Sequence, residues 1–315
     1  MKQSFAATGT PTESLCPLCN AATGEIRYDY GRLKIIRCQG CGLWRTCPRL
    51  SPEELAAYYE EHYYSDALHA SGKYEEWRDR NADVWRVNAQ LVLAEARKRR
   101  TQTRMKEEGG RMKKGPSPAL PSSFILHPSS FPNLLDVGCG HGFFLEQCVA
   151  LGIRARGLEI SAQAAAYARE QLKLDVRQMP LDGLPAAELY DVITLWGVLE
   201  HVAQPLRTME QVRAHLHPGG VAWVMTPNTN ALVRFLKGAR YFNFLNQSHL
   251  THFHRKTLRA LLERAGFINV RRYIHWGGGV RRGPAAAAQY AARWLCLGTE
   301  LRFVGEAGSG GLVKL

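Results

Sequence analysis

No stretch of the 315-residue chain approaches the roughly 20 uninterrupted apolar residues of a membrane-spanning helix. The N-terminal residues MKQSFAATGTPTES carry one lysine and no apolar segment after it, so they do not read as a secretory leader. A cytoplasmic protein is the expectation. Negative charge is scarce too: 28 Asp and Glu stand against 41 Lys and Arg, a formal net charge of +13. Such an excess would suit a polyanionic partner. Its placement argues otherwise, because nine Lys and Arg against only Glu107 and Glu108 fall between Arg97 and Lys114, giving +7 from that one segment. The whole chain is 45% hydrophobic with ordinary aromatic content, the composition of a globular chain long enough for about two domains.

A disulfide framework is also missing. Four of the eight cysteines fall as Cys16-x-x-Cys19 and Cys38-x-x-Cys41, and the others are scattered as reduced thiols would be. Two such knuckles form a closed four-thiolate zinc site with no open position for catalysis. The zinc is expected to be structural, since strand-like runs such as Arg32 to Arg37 are too short to bury a core unaided. Cys47 is then a spare thiol.

Residues 14–50 therefore read as a zinc ribbon. Ser51-Pro52-Glu53-Glu54 is a helix start, with an N-cap, proline at the first helical position and an acidic first turn. A second helical pattern runs from about Tyr74 to Arg99, with Trp77, Val84, Trp85, Leu91 and Leu93 as candidate buried positions, so 51–99 is expected to be a helical connector. Residues 100–132 change character: a basic run, then five prolines and the repeat Ser122-Ser123-Phe124, Ser129-Ser130-Phe131. That composition builds no core and reads as a disordered linker. From 133 to 308, apolar runs at Leu134–Val137, Ala155–Ile160, Asp191–Trp196, Val221–Thr226, Asn269–His275 and Glu300–Val304 alternate with helical patterns. Strand and helix in alternation imply a mostly parallel, doubly wound sheet.

The first of these strands runs into Asp136-Val137-Gly138-Cys139-Gly140-His141-Gly142, a glycine turn at the carboxyl end of a strand, where open α/β sheets bind ligands. A dinucleotide turn needs a third glycine three positions after Gly140, and Phe143 stands there, which disfavours a dehydrogenase. Asp136 can hold the ammonium side of a methionine moiety, directly or through water. Glu159, at the end of the next strand, can accept from both hydroxyls of a ribose. S-adenosylmethionine (SAM) meets both demands.

Together with Gly157-Leu158-Glu159-Ile160-Ser161, Tyr190-Asp191-Val192-Ile193, Gly197-Val198-Leu199-Glu200-His201, Leu216-His217-Pro218-Gly219-Gly220, Thr226-Pro227-Asn228 and His249-Leu250 ahead of Ala265-Gly266-Phe267, this turn resembles the class I SAM-dependent methyltransferases that carry an N-terminal zinc ribbon. The resemblance covers nearly all the chain outside the linker. It implies a seven-stranded Rossmann-like sheet ending in a reversed hairpin. The cofactor site it implies consists of Asp136, Gly138, Cys139, Gly140, Glu159, Ile160, Gln178, Met179 and Trp196, with Ile160 on one side of the adenine and Gln178 and Met179 on the other. Many relatives have an acidic residue near Met179; this chain has Arg177-Gln178-Met179-Pro180.

Methyl transfer from a sulfonium is an in-line displacement, governed mainly by positioning. A hydroxyl acceptor needs a base, and His201 and His249 are the candidates. Glu200-His201 resembles the Glu-His pair of ubiquinone-type O-methyltransferases, in which an acidic residue three positions earlier completes a divalent metal site; Gly197 occupies that position, so a catalytic metal is not expected. His249, His252 and His254 are read as one functional histidine and two incidental ones. Residues 229–248, with Phe235, Tyr241, Phe242 and Phe244, are read as an aromatic lid suited to a small organic or lipid-like acceptor. The expected activity is O-methylation of a small molecule such as a sugar, lipid or secondary metabolite. The alternative is an RNA methyltransferase that grips its substrate with the ribbon; against it, Leu195-Trp196-Gly197 stands where enzymes acting on base amino groups carry Asn-Pro-Pro-Tyr.

Overall fold

Asn133–Val137, the first strand of the doubly wound region, is buried along nearly its whole length, as an interior parallel strand must be. A computed structural model of the protein describes residues 15–58, 74–109, 132–273 and 298–308. Expectations for the linker beyond Gly109 and for an apolar helix over Ala285 to Leu297 lie outside those residues.

Three short strands open the chain: β1 (Gly24–Asp29), β2 (Lys34–Cys38) and β3 (Trp44–Cys47). Helix α1 (Pro52–Tyr58) begins as expected: Ser51 Oγ accepts from the Glu54 N–H, and the Glu54 carboxylate accepts from the Ser51 N–H, a reciprocal capping box. Helix α2 (Tyr74–Gly109) follows, and then β4 (Asn133–Val137), α3 (Phe143–Ala150), β5 (Arg154–Glu159), α4 (Ala162–Glu170), β6 (Val176–Gln178), β7 (Tyr190–Trp196), α5 (Pro205–Ala214) and β8 (Leu216–Pro227). The remainder is α6 (Leu232–Lys237), α7 (Phe242–Leu245), β9 (Thr251–His252), α8 (Arg255–Arg264), β10 (Phe267–Arg272) and β11 (Glu300–Ala307).

Seven strands form one sheet in the order β10-β11-β8-β7-β4-β5-β6. β11 runs antiparallel to both β8 and β10, which is the expected reversed hairpin; β4 to β8 pair in parallel. Alternation along the strands divides the core into two layers. Leu135, Val137, Ile193, Leu195, Ala222 and Val224 face α5 and α8, whereas Leu134, Val192, Val221 and Trp223 face α2, α3 and α4.

Two boundaries differ from expectation. Helix α2 is not a connector but a layer of the catalytic fold: Ala89, Val92, Leu93 and Ala96 recur at i, i+3, i+4 and i+7 and bury against the sheet, and Arg99 pairs with Glu95 and with Glu306 of β11. The same helix continues past Arg99 to Gly109, carried by Arg, Lys, Gln and Glu, all good helix formers.

The ribbon is likewise joined to the sheet domain. β9 adds to it as a fourth strand, pairing Trp44 with His252 and Arg45 with Thr251. Cys16, Leu18, Cys38 and Leu43 lie in the same apolar cluster as Leu199 and Phe253. On the other side Trp44 stacks on Phe244, ring centroids 5.5 Å apart, and Ile35 and Tyr241 complete that cluster. The ribbon strands thus pack against the segment between β8 and β9.

Candidate active site

The carboxyl edge of β4, β5, β6 and β7 brings the expected cofactor residues together. Gly138, Gly140 and Gly142 all adopt left-handed backbone, with φ of 66°, 54° and 81°. A side chain at Gly140 would meet nothing within 4 Å, so the space beside it is open for a ligand, whereas one at Gly138 would strike Val198 at 2.8 Å. Glu159 holds this turn in place. Its carboxylate accepts from the Gly140 N–H and the Ser161 N–H, each at 2.8 Å, and is only 7% exposed. Burial raises its pKa, against the lowering effect of those N–H donors.

Asp136 sits deeper, 1% exposed, with the Thr194 hydroxyl donating to it at 2.6 Å. Burial pushes its pKa up to about 8, and the negative charge of Glu159 adds to the rise. Thr194, a lone hydroxyl between Ile193 and Leu195 in an apolar strand, thereby joins the candidate site, a signal the sequence carries but that no motif marks. Ile160 is more than half exposed at the rim, an uncommon place for a large apolar side chain. Gln178 pairs with Glu159 in the β5–β6 register, and the Met179 N–H donates to the Glu159 carbonyl. Cys139 is buried beneath the turn, its Sγ directed at the Gly140 carbonyl. Trp196 packs edge-on against Phe144 and against Trp85 of α2, so this helix contributes a ring next to the cofactor edge.

His201 and His249, 48 residues apart in sequence, meet beyond the end of β7 with ring centroids 4.7 Å apart. His201 Nδ1 lies 3.0 Å from the Ser248 carbonyl, which can only accept. Nδ1 therefore carries the proton, and Nε2 presents a lone pair. Burial lowers the His201 pKa to about 4, and that of His249 further still. Both rings are neutral at pH 7. Glu200 completes the cluster: its carboxylate accepts from the Thr226 hydroxyl at 3.0 Å, and burial raises its pKa to about 7.

Nitrogen and oxygen donor atoms of Glu200, His201 and His249 lie within 4.8 Å of one another, so this trio also has the composition of a cation site. Gly197 leaves the position three before Glu200 without a ligand, and the fold brings His249 to Glu200 and His201 from the far side instead. The other two histidines of the segment are structural. Thr46 Oγ1 donates to the His249 carbonyl and lies 2.9 Å from His252 Nε2, tying β9 to the ribbon. The His254 side chain accepts from the Lys256 N–H and caps α8.

In the ribbon, Cys16, Cys19, Cys38 and Cys41 converge with their sulfurs within 4.8 Å of one another. The Cys16–Cys41 and Cys19–Cys38 sulfur pairs are each 3.5 Å apart, too far for a disulfide and close to the about 3.8 Å between sulfurs of a tetrahedral zinc site with Zn–S near 2.3 Å. A hydrogen bond from Cys41 lowers the Cys16 pKa to about 4, helped by the backbone N–H groups of Leu18 and Cys19. Cys16 is thereby pushed toward thiolate, the ligating form, whereas Cys19 is raised chiefly by burial and Cys41 by its hydrogen bond to Cys16.

Residues 86–272 match the family described as a methyltransferase domain. Over 104 residues the chain is 35% identical to a ubiquinone biosynthesis O-methyltransferase of Paraburkholderia xenovorans, the match covering 31% of this chain and 45% of that protein. It is 37% identical over 109 residues to a ubiquinone biosynthesis O-methyltransferase of Parvibaculum lavamentivorans, covering 33% of this chain and 43% of that one. The chain spans about half the length of the curated relatives it matches. Among solved structures it resembles a methyltransferase from Haloferax volcanii in complex with the Trm112 methyltransferase activator, with a TM-score of 0.51 and 19% identity over 77% of this chain and 97% of that one, a likeness of fold.

Proposed function

Since the chain belongs to this methyltransferase-domain family, we propose that it transfers a methyl group from SAM to a hydroxyl of a small organic acceptor. One observation carries the reading: a buried carboxylate, Glu159, pins a glycine turn whose Gly140 side is open, at the carboxyl edge of a parallel sheet. Glu159 would accept from the ribose hydroxyls. Ile160 and Met179 would flank the adenine, with Gln178 and Trp196 at the pocket's borders and Gly138, Cys139 and Gly140 along the methionine moiety. Asp136 would face the cationic end, where a positive charge would draw its raised pKa back down. When bound, SAM supplies an electrophilic methyl on a good leaving group. The chain's own residues then have to orient the acceptor and accept its proton, for which His201 and His249 are neutral and adjacent.

The acceptor class is testable directly. Methyl-labelled SAM, incubated with the protein and a fractionated cell extract, is expected to label the lipid and small-molecule pool. Label that follows RNA and disappears with ribonuclease would replace this reading with the RNA methyltransferase alternative.

The four ribbon thiolates would hold a structural zinc. Metal analysis is expected to find about one zinc per chain, as a closed four-cysteine site takes. The Cys38→Ser, Cys41→Ser variant is expected to lose it and the ribbon's fold with it; a metal-free wild-type protein with an intact ribbon would contradict this.

A further inference from the structure

Ten large apolar side chains are exposed among the described residues, and five of them, Leu232, Phe235, Leu236, Phe242 and Leu245, fall within one fourteen-residue stretch. Leu236 is 79% exposed. Leu232, Phe235 and Leu236 follow i, i+3, i+4 spacing on α6, so they share a face, and Phe242 and Leu245 repeat the i, i+3 step on α7. The stretch is well anchored from the opposite side. Tyr241 and Phe244 are fully buried against Ile35 and Trp44 of the ribbon, and Tyr241 donates to the Asn228 carbonyl. A firmly held segment thus presents one apolar half to the core and another to the outside, and concentrated exposed apolar surface marks an interaction site.

Its charge says which kind. Arg234, Lys237 and Arg240 are interleaved with the exposed apolar side chains, and from Asn228 to Leu262 there are six Lys and Arg and no Asp or Glu. The Arg234 guanidinium lies 3.8 Å over the Phe235 ring. Lys237 and Arg240 are exposed and have no ion-pair partner among the described residues. A second copy of the chain would bring like charges together across a two-fold contact, and a nucleic acid would leave Leu232, Leu236 and Leu245 without a use. An interface with apolar depth and phosphate at its rim satisfies both halves of the pattern.

We propose that residues 232–245 form a docking surface for a bilayer bearing anionic lipid headgroups, with the exposed Leu and Phe side chains at the acyl boundary and Lys237 and Arg240 at the phosphates. The surface lies in the segment between β8 and His249. The inference stands on the surface itself and does not require methyl transfer.

Flotation of the full-length protein with vesicles tests it, using phosphatidylcholine alone or phosphatidylcholine with a minor share of phosphatidylglycerol. The wild-type protein is expected to float with the mixed vesicles and to be weakened by salt. Two double variants, Phe235→Ser with Leu236→Ser and Lys237→Glu with Arg240→Glu, leave Tyr241, Phe244 and Trp44 untouched. Each is expected to reduce partitioning by about tenfold or more while circular dichroism stays unchanged. The proposal is overturned if the wild-type protein floats with neither vesicle, or if both folded double variants float as well as it does. It is equally overturned if light scattering shows a dimer that Leu236→Ser dissociates, which would make this face a contact between copies.

Discussion

Replacing His249 with alanine is expected to lower kcat by about 10²- to 10⁴-fold, the usual worth of a positioned general base, while SAM affinity stays within about twofold of wild type. The two effects separate because the histidine pair lies beyond β7, whereas the glycine turn follows β4. His201→Ala is expected to have a comparable effect: the His201 ring, held by the Ser248 carbonyl, packs edge-on against His249. If the two work as one unit, the double variant will lose little more than either single one. The pH profile gives an independent readout. Burial holds the His201 pKa near 4 and that of His249 lower, so both remain bases through neutral pH, and the acid limb of kcat/KM is expected below about pH 6.5, the ordinary histidine range. The same shifts act on stability. An unfolded histidine takes up a proton near pH 6.5, which these buried rings resist, so folding stability is expected to fall as pH drops from about 6.5 toward 4. His254→Ala is the control. It removes a helix cap, with a stability cost of about 1 kcal/mol, and should leave turnover intact. Full activity in both His201→Ala and His249→Ala would move the base elsewhere.

Much of this arrangement was legible because it is local. The apolar run of β4, the glycines that follow it, Glu159 at the end of β5 and the paired cysteines each carry their meaning within a few residues. What could not be read is what depends on pairing across the chain. β6 has only three residues and no distinctive pattern, and it becomes a strand by aligning Gln178 with Glu159. β9 has two, and exists because Trp44 and Arg45 of the ribbon pair with it. Helix α2 was visible as a helix from its apolar spacing, but nothing in Ala89, Val92 and Leu93 says that they cover the sheet rather than link two domains. The partnership of His201 with His249 is likewise a product of the fold: the sequence offers each as a histidine near a strand end, and only the return of the chain after residues 229–248 puts them side by side. The lid aromatics were read as one group, and the structure divides them into two kinds, Tyr241 and Phe244 in the core and Phe235 and Phe242 outside.

The second large effect is expected at Glu159. Alanine there removes a carboxylate buried to 7% exposure together with its bonds to the Gly140 and Ser161 N–H groups. It deletes the proposed acceptor for the ribose hydroxyls and leaves the glycine turn without its anchor. Hydrogen bonds to a charged group are worth about 1.5–3 kcal/mol each, so the loss of even one should weaken SAM at least about tenfold. Titration calorimetry of SAM into the wild-type, His249→Ala and Glu159→Ala proteins therefore tests the central claim most directly. One-to-one binding by the first two and at least about tenfold weaker binding by the third is the predicted result. Equal affinity in Glu159→Ala, or no binding of SAM by the wild-type protein, would contradict the account.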